Sequence, residues 1–193
     1  VDIRDIDRAY LRRNIGIVLQ EPFLFSGTIH ENIAAAYTGA DEYEAVRSAA
    51  RTASVDEAIE QFTEGYDTIV GERGVTLSGG QRQRVAIARM LVSGTPIKIF
   101  DDSLSAVDAE TDMKIRKALS RETKGSTVIL ISHRITTLMH ADKILVLDRG
   151  RLIESGTHDE LCAMGGMYKR VYDIQTNIDE TYLGESKEAC DED

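Results

Sequence analysis

A short segment, Leu77-Ser78-Gly79-Gly80-Gln81, has the residue types needed to bind an anion at the start of a helix. Ser78 and Gln81 have the spacing of a capping box, in which each side chain accepts a hydrogen bond from the other residue's backbone. Gly79 and Gly80 leave the first backbone N–H groups uncovered, and the helix dipole favours negative charge there. The segment predicts a phosphate site, although a capping box can also serve only to start a helix.

Four polar side chains, Gln20, Asp101, Asp102 and His133, end apolar segments rich in β-branched residues. These segments are Ile15–Gln20, Ile97–Asp102 and Val128–His133. They predict buried parallel strands, and the helical segments between them give the βαβ order of an open α/β sheet. Ligands of such sheets lie outside the carboxyl ends of the strands, so the four side chains are expected at one edge. Each of them, taken alone, could equally be a structural residue.

The segment from about Thr28 to Ser93 is too long for a simple crossover between the first two strands, and it predicts a small helical subdomain. Glu42–Arg51 is rich in helix formers, and the last helix is expected to run from Ser78 to a stop at Gly94. A helix after the second strand is expected to pack on the sheet through one face. That face comprises Thr111, Ile115, Ala118 and Leu119.

The last part of the chain predicts a β-hairpin, a helix and a tail. Lys143–Leu147 and Arg151–Glu154 flank a turn in which Gly150 is able to take a positive φ, and the hairpin is expected to extend the sheet edge. A helix is expected from His158 to about Gln175. Residues 178–193 have the composition of an acidic, disordered tail.

The overall composition argues against several classes of function and of site. A net charge of −10 over 193 residues disfavours general nucleic-acid binding, although it does not exclude a local phosphate site. Cys162 and Cys190 are far apart and have no ligand-like neighbours, so neither a disulfide framework nor a zinc site is indicated. No apolar segment approaches the length of a membrane span, and the first residues are too charged for a signal peptide. Any membrane contact is therefore expected to be made through a partner.

These segments resemble, in type and in order, motifs of the nucleotide-binding domains of export-type ATP-binding-cassette (ABC) transporters. Leu77–Gln81 matches the signature motif without change, and Gln20 with the following Glu21–Ile29 resembles the exporter form of the Q-loop. Further resemblances are Ile97–Asp102 to the Walker B strand, Ser105, Ala106, Val107 and Asp108 to the D-loop, and His133 to the switch histidine. The similarity extends over nearly the whole chain.

The resemblance implies a P-loop NTPase-like fold with an open, mainly parallel sheet, an inserted α-helical subdomain and a C-terminal β-hairpin. Residues 1–177 would form part of a nucleotide-binding domain, with residues 28–93 as the subdomain, and its N-terminal strands would be missing. The domain would bind ATP and Mg²⁺ between two copies arranged head to tail, as a homodimer or a heterodimer, at the cytoplasmic face of the cell membrane.

The resemblance also assigns roles to single residues. Leu77–Gln81 would contact the ATP held by the partner domain, Asp101 and Gln20 would serve Mg²⁺, and His133 would hydrogen-bond the γ-phosphate. The D-loop would line the dimer seam. Pro22, Phe23, Leu24 and Phe25 would contact the transmembrane domain, although ordinary packing under the helical subdomain is the alternative.

Two departures from the family pattern limit this expectation. No G-x-x-x-x-G-K-[ST] phosphate loop, the Walker A motif, occurs in the 193 residues, so this polypeptide alone is expected to bind ATP weakly. Asp102 stands where active members place a glutamate that polarises the attacking water, and its side chain is one methylene shorter. The functional alternatives are therefore a hydrolysing exporter subunit and a degenerate, regulatory half of a heterodimeric exporter. A soluble cassette protein acting on DNA or ribosomes fits the acidic charge less well.

Overall fold

A computed structural model describes residues 1–71, 77–103, 111, 113–115, 117 and 125–188, with the side chains of 178–188 left out. The chain divides into two compact units, residues 1–131 and residues 132–193. The helix predicted around Ile115 falls mostly outside the described residues, but Ile115 itself is fully buried in the core of the first unit.

The first unit contains the predicted parallel sheet. Its strands are β1 (Ile15–Val18), β4 (Ile97–Asp101) and β5 (Thr127–Ile131), in the spatial order β1-β4-β5. Val18 pairs with Phe100 and Asp101 pairs with Ile131, so all three strands end at the same edge. The positions and parallel pairing of the three strands are confirmed.

The prediction that all three strands are buried is wrong for β5 and for part of β1, in which Ile17 is 53% exposed. Val128, Ile129 and Ile131 are exposed, whereas Phe100 and Lys98 of the central strand β4 are buried. An edge strand has a neighbour on one side only, and β-branched residues predict a strand without saying how much of each face is covered. Lys98 is accommodated because its ammonium group donates hydrogen bonds to the Thr95 carbonyl and the Ser126 hydroxyl.

The helical subdomain lies between β1 and β4 in the sequence, as predicted. Its elements are β2 (Gly27–Thr28), α2 (Ile29–Ala34), α3 (Glu42–Thr52), α4 (Asp56–Glu60), β3 (Ile69–Val70) and α5 (Gly79–Val92), and α1 (Arg8–Asn14) precedes β1. The pair β2–β3 is a short antiparallel sheet. One continuous hydrophobic core joins these helices to the parallel sheet.

Helix α5 lies at the centre of this core and packs against α2, α3 and β1. Val85, Ile87 and Ala88 are fully buried. Gly16 of β1 permits the close contact, because a Cβ there would lie 2.8 Å from Cγ of Met90. The position of α5 on the sheet therefore depends on a small residue in β1.

The described residues of the second unit, 132–188, form a hairpin and three helices. The hairpin strands are β6 (Ile144–Asp148) and β7 (Arg151–Gly156), and the helices are α6 (Ile135–Leu138), α7 (His158–Met164) and α8 (Met167–Glu188). Arg149 and Gly150 both have positive φ, as a two-residue type I′ turn requires, which confirms the expectation for Gly150. Ile135, Ile144, Leu161 and Tyr168 form the core of this unit.

Three details of the second unit differ from the sequence expectations. The hairpin forms a two-stranded sheet of its own within the described part of the chain, rather than extending the parallel sheet. The final helix is divided in two because Gly165 takes a left-handed conformation (φ 66°) and caps α7. Helix α8 continues to Glu188 instead of ending near Gln175, so residues 178–188 of the predicted tail are helical and residues 189–193 lie outside the described part.

No helix in the described residues is both long enough and apolar enough to cross a membrane.

Candidate functional site

The capping box predicted at Ser78 is present at the start of α5. The backbone N–H of Gln81 donates to Oγ of Ser78 at 3.2 Å, and the N–H of Ser78 donates to Oε1 of Gln81 at 2.9 Å. Leu77 is buried, which anchors the segment next to the helix. The N–H groups of Gly79 and Gly80 belong to the first helical turn, where a helix supplies no acceptor of its own.

Gly79 has no structural requirement for glycine in this fold. Among the described residues, a Cβ added there would have no atom within 4 Å, and its φ lies outside the left-handed region. Glycine is less stable than alanine in a helix interior by about 0.5–1 kcal/mol, and nothing in the described part of the fold gives glycine an advantage at this first helical position. The bare backbone therefore points to a ligand that must approach closely.

Three of the predicted polar residues lie at the carboxyl edge of the parallel sheet. Asp101 is the last residue of β4, Asp102 follows it, and Gln20 follows the end of the neighbouring strand β1. The Asp102 N–H donates to the Ile131 carbonyl at 2.8 Å, so the β4–β5 pairing continues into Asp102. Carboxylate and amide oxygens are ligands that Mg²⁺ accepts, and this ion usually takes only one or two protein carboxylates together with substrate phosphates.

Asp102 has a backbone conformation that the sequence did not predict. Its φ of 43° lies in the left-handed region, which is uncommon for a residue other than glycine. Aspartate and asparagine enter this region more readily than other side chains, because their short polar groups bond the local backbone. With this φ, the Asp102 side chain points in a different direction from the side chain of a residue in a continuing strand.

His133 belongs to the second unit, where it follows the end of β5 and precedes α6. Its side chain is exposed, and its carbonyl accepts a hydrogen bond of 2.7 Å from Nε2 of Gln175. The expectation that His133 shares one site with Gln20, Asp101 and Asp102 stays a prediction. The D-loop residues 105–108 lie outside the described part of the chain.

The apolar cluster after Gln20 is divided between core and surface. Leu24 is buried, whereas Phe23 and Phe25 are 70% and 53% exposed and pack against each other edge to face, with ring centroids 5.4 Å apart. Ordinary packing under the helical subdomain therefore accounts for Leu24 but not for the two phenylalanines. Exposed aromatic pairs are typical of protein contact surfaces.

Side chains of helix α5 donate hydrogen bonds to both ends of the segment from Leu19 to Phe23. Near its start, the buried Gln83 donates from Nε2 to the Leu19 carbonyl at 3.2 Å. Near its end, Arg89 donates to the Phe23 carbonyl at 2.9 Å and stacks its guanidinium over the Phe25 ring at 5.0 Å. Burial lowers the pKa of the Arg89 guanidinium. The segment that carries the aromatic pair is thus fixed to the helix that begins at the glycines.

Asn32 of α2 completes the attachment, and sequence reasoning missed it. Its Oδ1 accepts from the Phe25 N–H at 2.8 Å and from Arg89 at 2.6 Å, while its Nδ2 donates to the carbonyls of Phe25 and Thr28. All four bonds of this buried amide are used. The available signal was a polar residue between Ile29 and Ile33 on the apolar face of α2.

The variant Asn32→Asp is expected to be less stable than wild type by about 2 kcal/mol, because its carboxylate faces two carbonyl oxygens without donors. Urea unfolding of both proteins measures the difference. The matched control is Asn14→Asp, since Nδ2 of Asn14 also donates to a carbonyl, that of Tyr10 at 2.8 Å, but in an exposed setting. Equal losses in the two variants would show that the buried network is not the cause.

Within the described residues, no group of three or more His, Cys, Asp or Glu side chains forms a metal site. Comparison with known proteins identifies the family instead. The family model described as "ABC transporter" matches residues 1–105, which include the capping-box segment and the strand ending at Asp101.

Relatives of known family extend the match over nine tenths of the chain. A protein of Bacillus subtilis described as "Uncharacterized ABC transporter ATP-binding protein YknU" is 49% identical over 173 residues, covering 90% of this chain and 29% of that protein. An "ATP-dependent lipid A-core flippase" of Syntrophus aciditrophicus is 44% identical over 178 residues, covering 92% and 30%. The chain thus spans about 30% of the length of these relatives.

A solved structure shows the same fold. It is described as "Structure of a bacterial Atm1-family ABC exporter with ATP bound", with a TM-score of 0.86 and 42% identity, covering 90% of this chain and 30% of that one. The α/β sheet, the helical insertion and the hairpin agree with that family. The chain belongs to the ABC transporter family and is similar to the ATP-binding part of its exporters.

Proposed function

We propose that this chain is part of the ATP-hydrolysing domain of an ABC exporter, in which closure of two such domains around ATP drives the export of a substrate across the membrane. The observation that carries the proposal is Gly79, a helix-start glycine for which the described part of the fold shows no need, since a Cβ there would have no described atom within 4 Å. The exporter relatives and the unaltered Leu77–Gln81 segment support the same conclusion.

Each candidate residue has a role that its chemistry suits. The N–H groups at the start of α5 bind the γ-phosphate of an ATP held by the partner domain, with Ser78 and Gln81 shaping the turn. His133 hydrogen-bonds the same phosphate, and Asp102 orients the attacking water. Asp101 and Gln20 would hold Mg²⁺, which would supply positive charge to neutralise the phosphates. Ser105–Asp108 lie at the seam between the domains.

The phosphates of ATP need a second binding element. The chain's 193 residues contain no Walker A sequence, so the β- and γ-phosphates have no lysine and no backbone cradle within it. In the proposed arrangement the phosphate loop of one domain and the α5 start of the other enclose each ATP. By itself the 193-residue polypeptide binds ATP weakly and does not hydrolyse it.

The exposed aromatic pair gives the domain a surface for its second partner. Phe23 and Phe25 contact the transmembrane domain, with Pro22 and Leu24 fixing the loop, and the domain lies at the cytoplasmic face of the membrane. Residues 1–177 act as one domain in this proposal, with residues 28–93 as its helical subdomain. Contact with the membrane is made only through the transmembrane domain.

Asp102 favours a second candidate within the same family. If its shorter carboxylate holds water poorly, this domain binds ATP with little turnover and serves as the regulatory half of a heterodimeric exporter. The intact Leu77–Gln81 segment would then complete the hydrolysing site of the other half.

Mixing two inactive variants of the full-length exporter tests the two-domain site. Gly79→Asp places a carboxylate where the phosphate binds, and His133→Ala removes the histidine from the opposite side of the same site. We expect each homodimer to be inactive and a 1:1 mixture, reassembled in lipid nanodiscs, to recover roughly one quarter of wild-type ATPase activity. Half of the dimers are mixed, and each of these restores one of two sites.

Purified, unmixed variants carried through the same reassembly are the control. If α5 acted on the ATP of its own domain, each protomer of a mixed dimer would carry one defect in its own site, and the mixture would recover no activity. Placing both substitutions in one polypeptide gives the converse test. When this double variant is mixed with wild type, the proposed arrangement leaves no intact site in the mixed dimers, so only wild-type homodimers should hydrolyse ATP. Activity in proportion to the wild-type protomers would contradict it.

A further inference from the structure

The side chain of Gln175 bridges the two ends of the short segment that begins with His133. Its Nε2 donates to the His133 carbonyl at 2.7 Å, and its Oε1 accepts from the Ile135 N–H at 2.9 Å. Only one orientation of the amide satisfies both bonds, because the carbonyl needs a donor and the N–H needs an acceptor. Gln175 therefore fixes the backbone on both sides of Arg134.

Two other restraints act on the segment: the Arg134 N–H donates to Oγ of Ser132 at 3.1 Å, and the Ile135 side chain is buried in the core of the second unit. His133 and Arg134 are exposed, and α6 begins without a side-chain cap from its own N-cap residue, Arg134. Helix α6 spans only Ile135–Leu138, too short to be stable by itself. The Oε1 of Gln175 takes the place of a capping group for the first N–H of α6.

Helix α8 is a rigid support for Gln175. Tyr168, two turns earlier on α8, is 3% exposed in the core of the second unit, and Val171 and Tyr172 pack against that core. Oη of Tyr168 is also 2.9 Å from Nδ1 of His158 on α7. The amide of Gln175 is thus anchored to a packed core, whereas His133, whose carbonyl it binds, is exposed.

We propose that Gln175 is a positioning residue for His133: by holding the His133 carbonyl and the Ile135 N–H, it places the exposed imidazole for its contact with the γ-phosphate. The inference rests on the proposed function, because it assumes that His133 contacts ATP. An exposed side chain receives little orientation from packing, so its backbone must supply it. Misplacement of a reacting group by about 1 Å can cost up to a hundredfold in rate.

A double-mutant cycle in the full-length exporter tests this role. Gln175→Met keeps the length of the side chain and removes both hydrogen bonds, and we expect it to lower kcat about tenfold with little change in the KM for ATP. In the His133→Ala background the same substitution should change the rate by less than about twofold, because Gln175 acts through His133. Single-turnover assays with radiolabelled ATP follow the slow variants over hours.

Two further variants separate positioning from stability. Thr176→Val removes a neighbouring polar group of α8 that bonds only to its own helix, to the Tyr172 carbonyl at 2.9 Å, and should leave kcat unchanged. Gln175→Glu keeps the acceptor for the Ile135 N–H but turns an oxygen towards the His133 carbonyl. It should fold with α6 intact and still lose activity.

If the rate losses of Gln175→Met and His133→Ala multiply in the double variant, the two residues act independently. That result would overturn the positioning role of Gln175 and leave the proposed function in place. An equal loss of activity in Thr176→Val would do the same, because it would show a general effect on α8. Unchanged hydrolysis in His133→Ala would instead overturn the proposed role of His133, and this inference with it.

Discussion

The variant Gly79→Ala is expected to fold at least as stably as wild type and, in the full-length exporter, to hydrolyse ATP ten to a hundred times more slowly, by about 1.4–2.7 kcal/mol of lost transition-state binding. The methyl group has no atom of the described residues within 4 Å, so this part of the fold accepts it. Alanine is also the better helix former by up to about 1 kcal/mol. The loss of rate arises because the methyl group stands between the helix-start N–H groups and the phosphate.

Gly94, which follows the C-terminal end of α5, provides the matched control for Gly79→Ala. A Cβ at Gly94 likewise has no neighbour within 4 Å in the part of the chain that the structure describes, but its φ of 63° is unfavourable for alanine. Gly94→Ala is therefore expected to lose about 1 kcal/mol of stability and to keep its ATPase rate. Thermal unfolding and steady-state ATPase assays measure the two quantities. A Gly79→Ala exporter with normal turnover would remove the main support for the phosphate site.

The elements that were predictable from the sequence are those encoded by local patterns. The β-branched segments gave the positions of β1, β4 and β5, and the Ser78–Gln81 spacing gave the start of α5, because both depend on residues a few positions apart. The turn at Gly150 was equally local. Gly165 also marked the end of α7, but the continuous helical pattern around it masked the break.

The contacts that organise the candidate site were not predictable in this way. Arg89 and Asn32 are 57 positions apart, and Gln175 and His133 are 42 apart. Such pairs depend on how helices pack, which a single sequence does not encode locally. The positive φ of Asp102 occurs just after β4, at a residue whose N–H still pairs with the Ile131 carbonyl, and no local sequence pattern encodes it. Only its residue type, which tolerates this conformation, hinted at it.

Asp102 is also the position of the second substitution with a large expected effect on ATP turnover. Asp102→Glu is expected to raise the ATP turnover of the full-length exporter about tenfold or more, because the added methylene brings the carboxylate closer to the attacking water. Stability should move the other way, falling by about 0.5–1 kcal/mol, because glutamate is less tolerant than aspartate of a φ near 43°. Faster hydrolysis by a less stable protein is a combination that a general improvement in folding cannot produce.

Asp102→Asn is the matched control for this substitution. Asparagine keeps the side-chain length and the tolerance of a left-handed backbone but carries no charge, so it should retain stability and lose hydrolysis. Site-resolved turnover, measured with one domain of each dimer blocked, then distinguishes the two candidate functions. If Asp102→Glu leaves turnover unchanged, the aspartate does not limit the rate, and the regulatory-half alternative loses the observation that favours it.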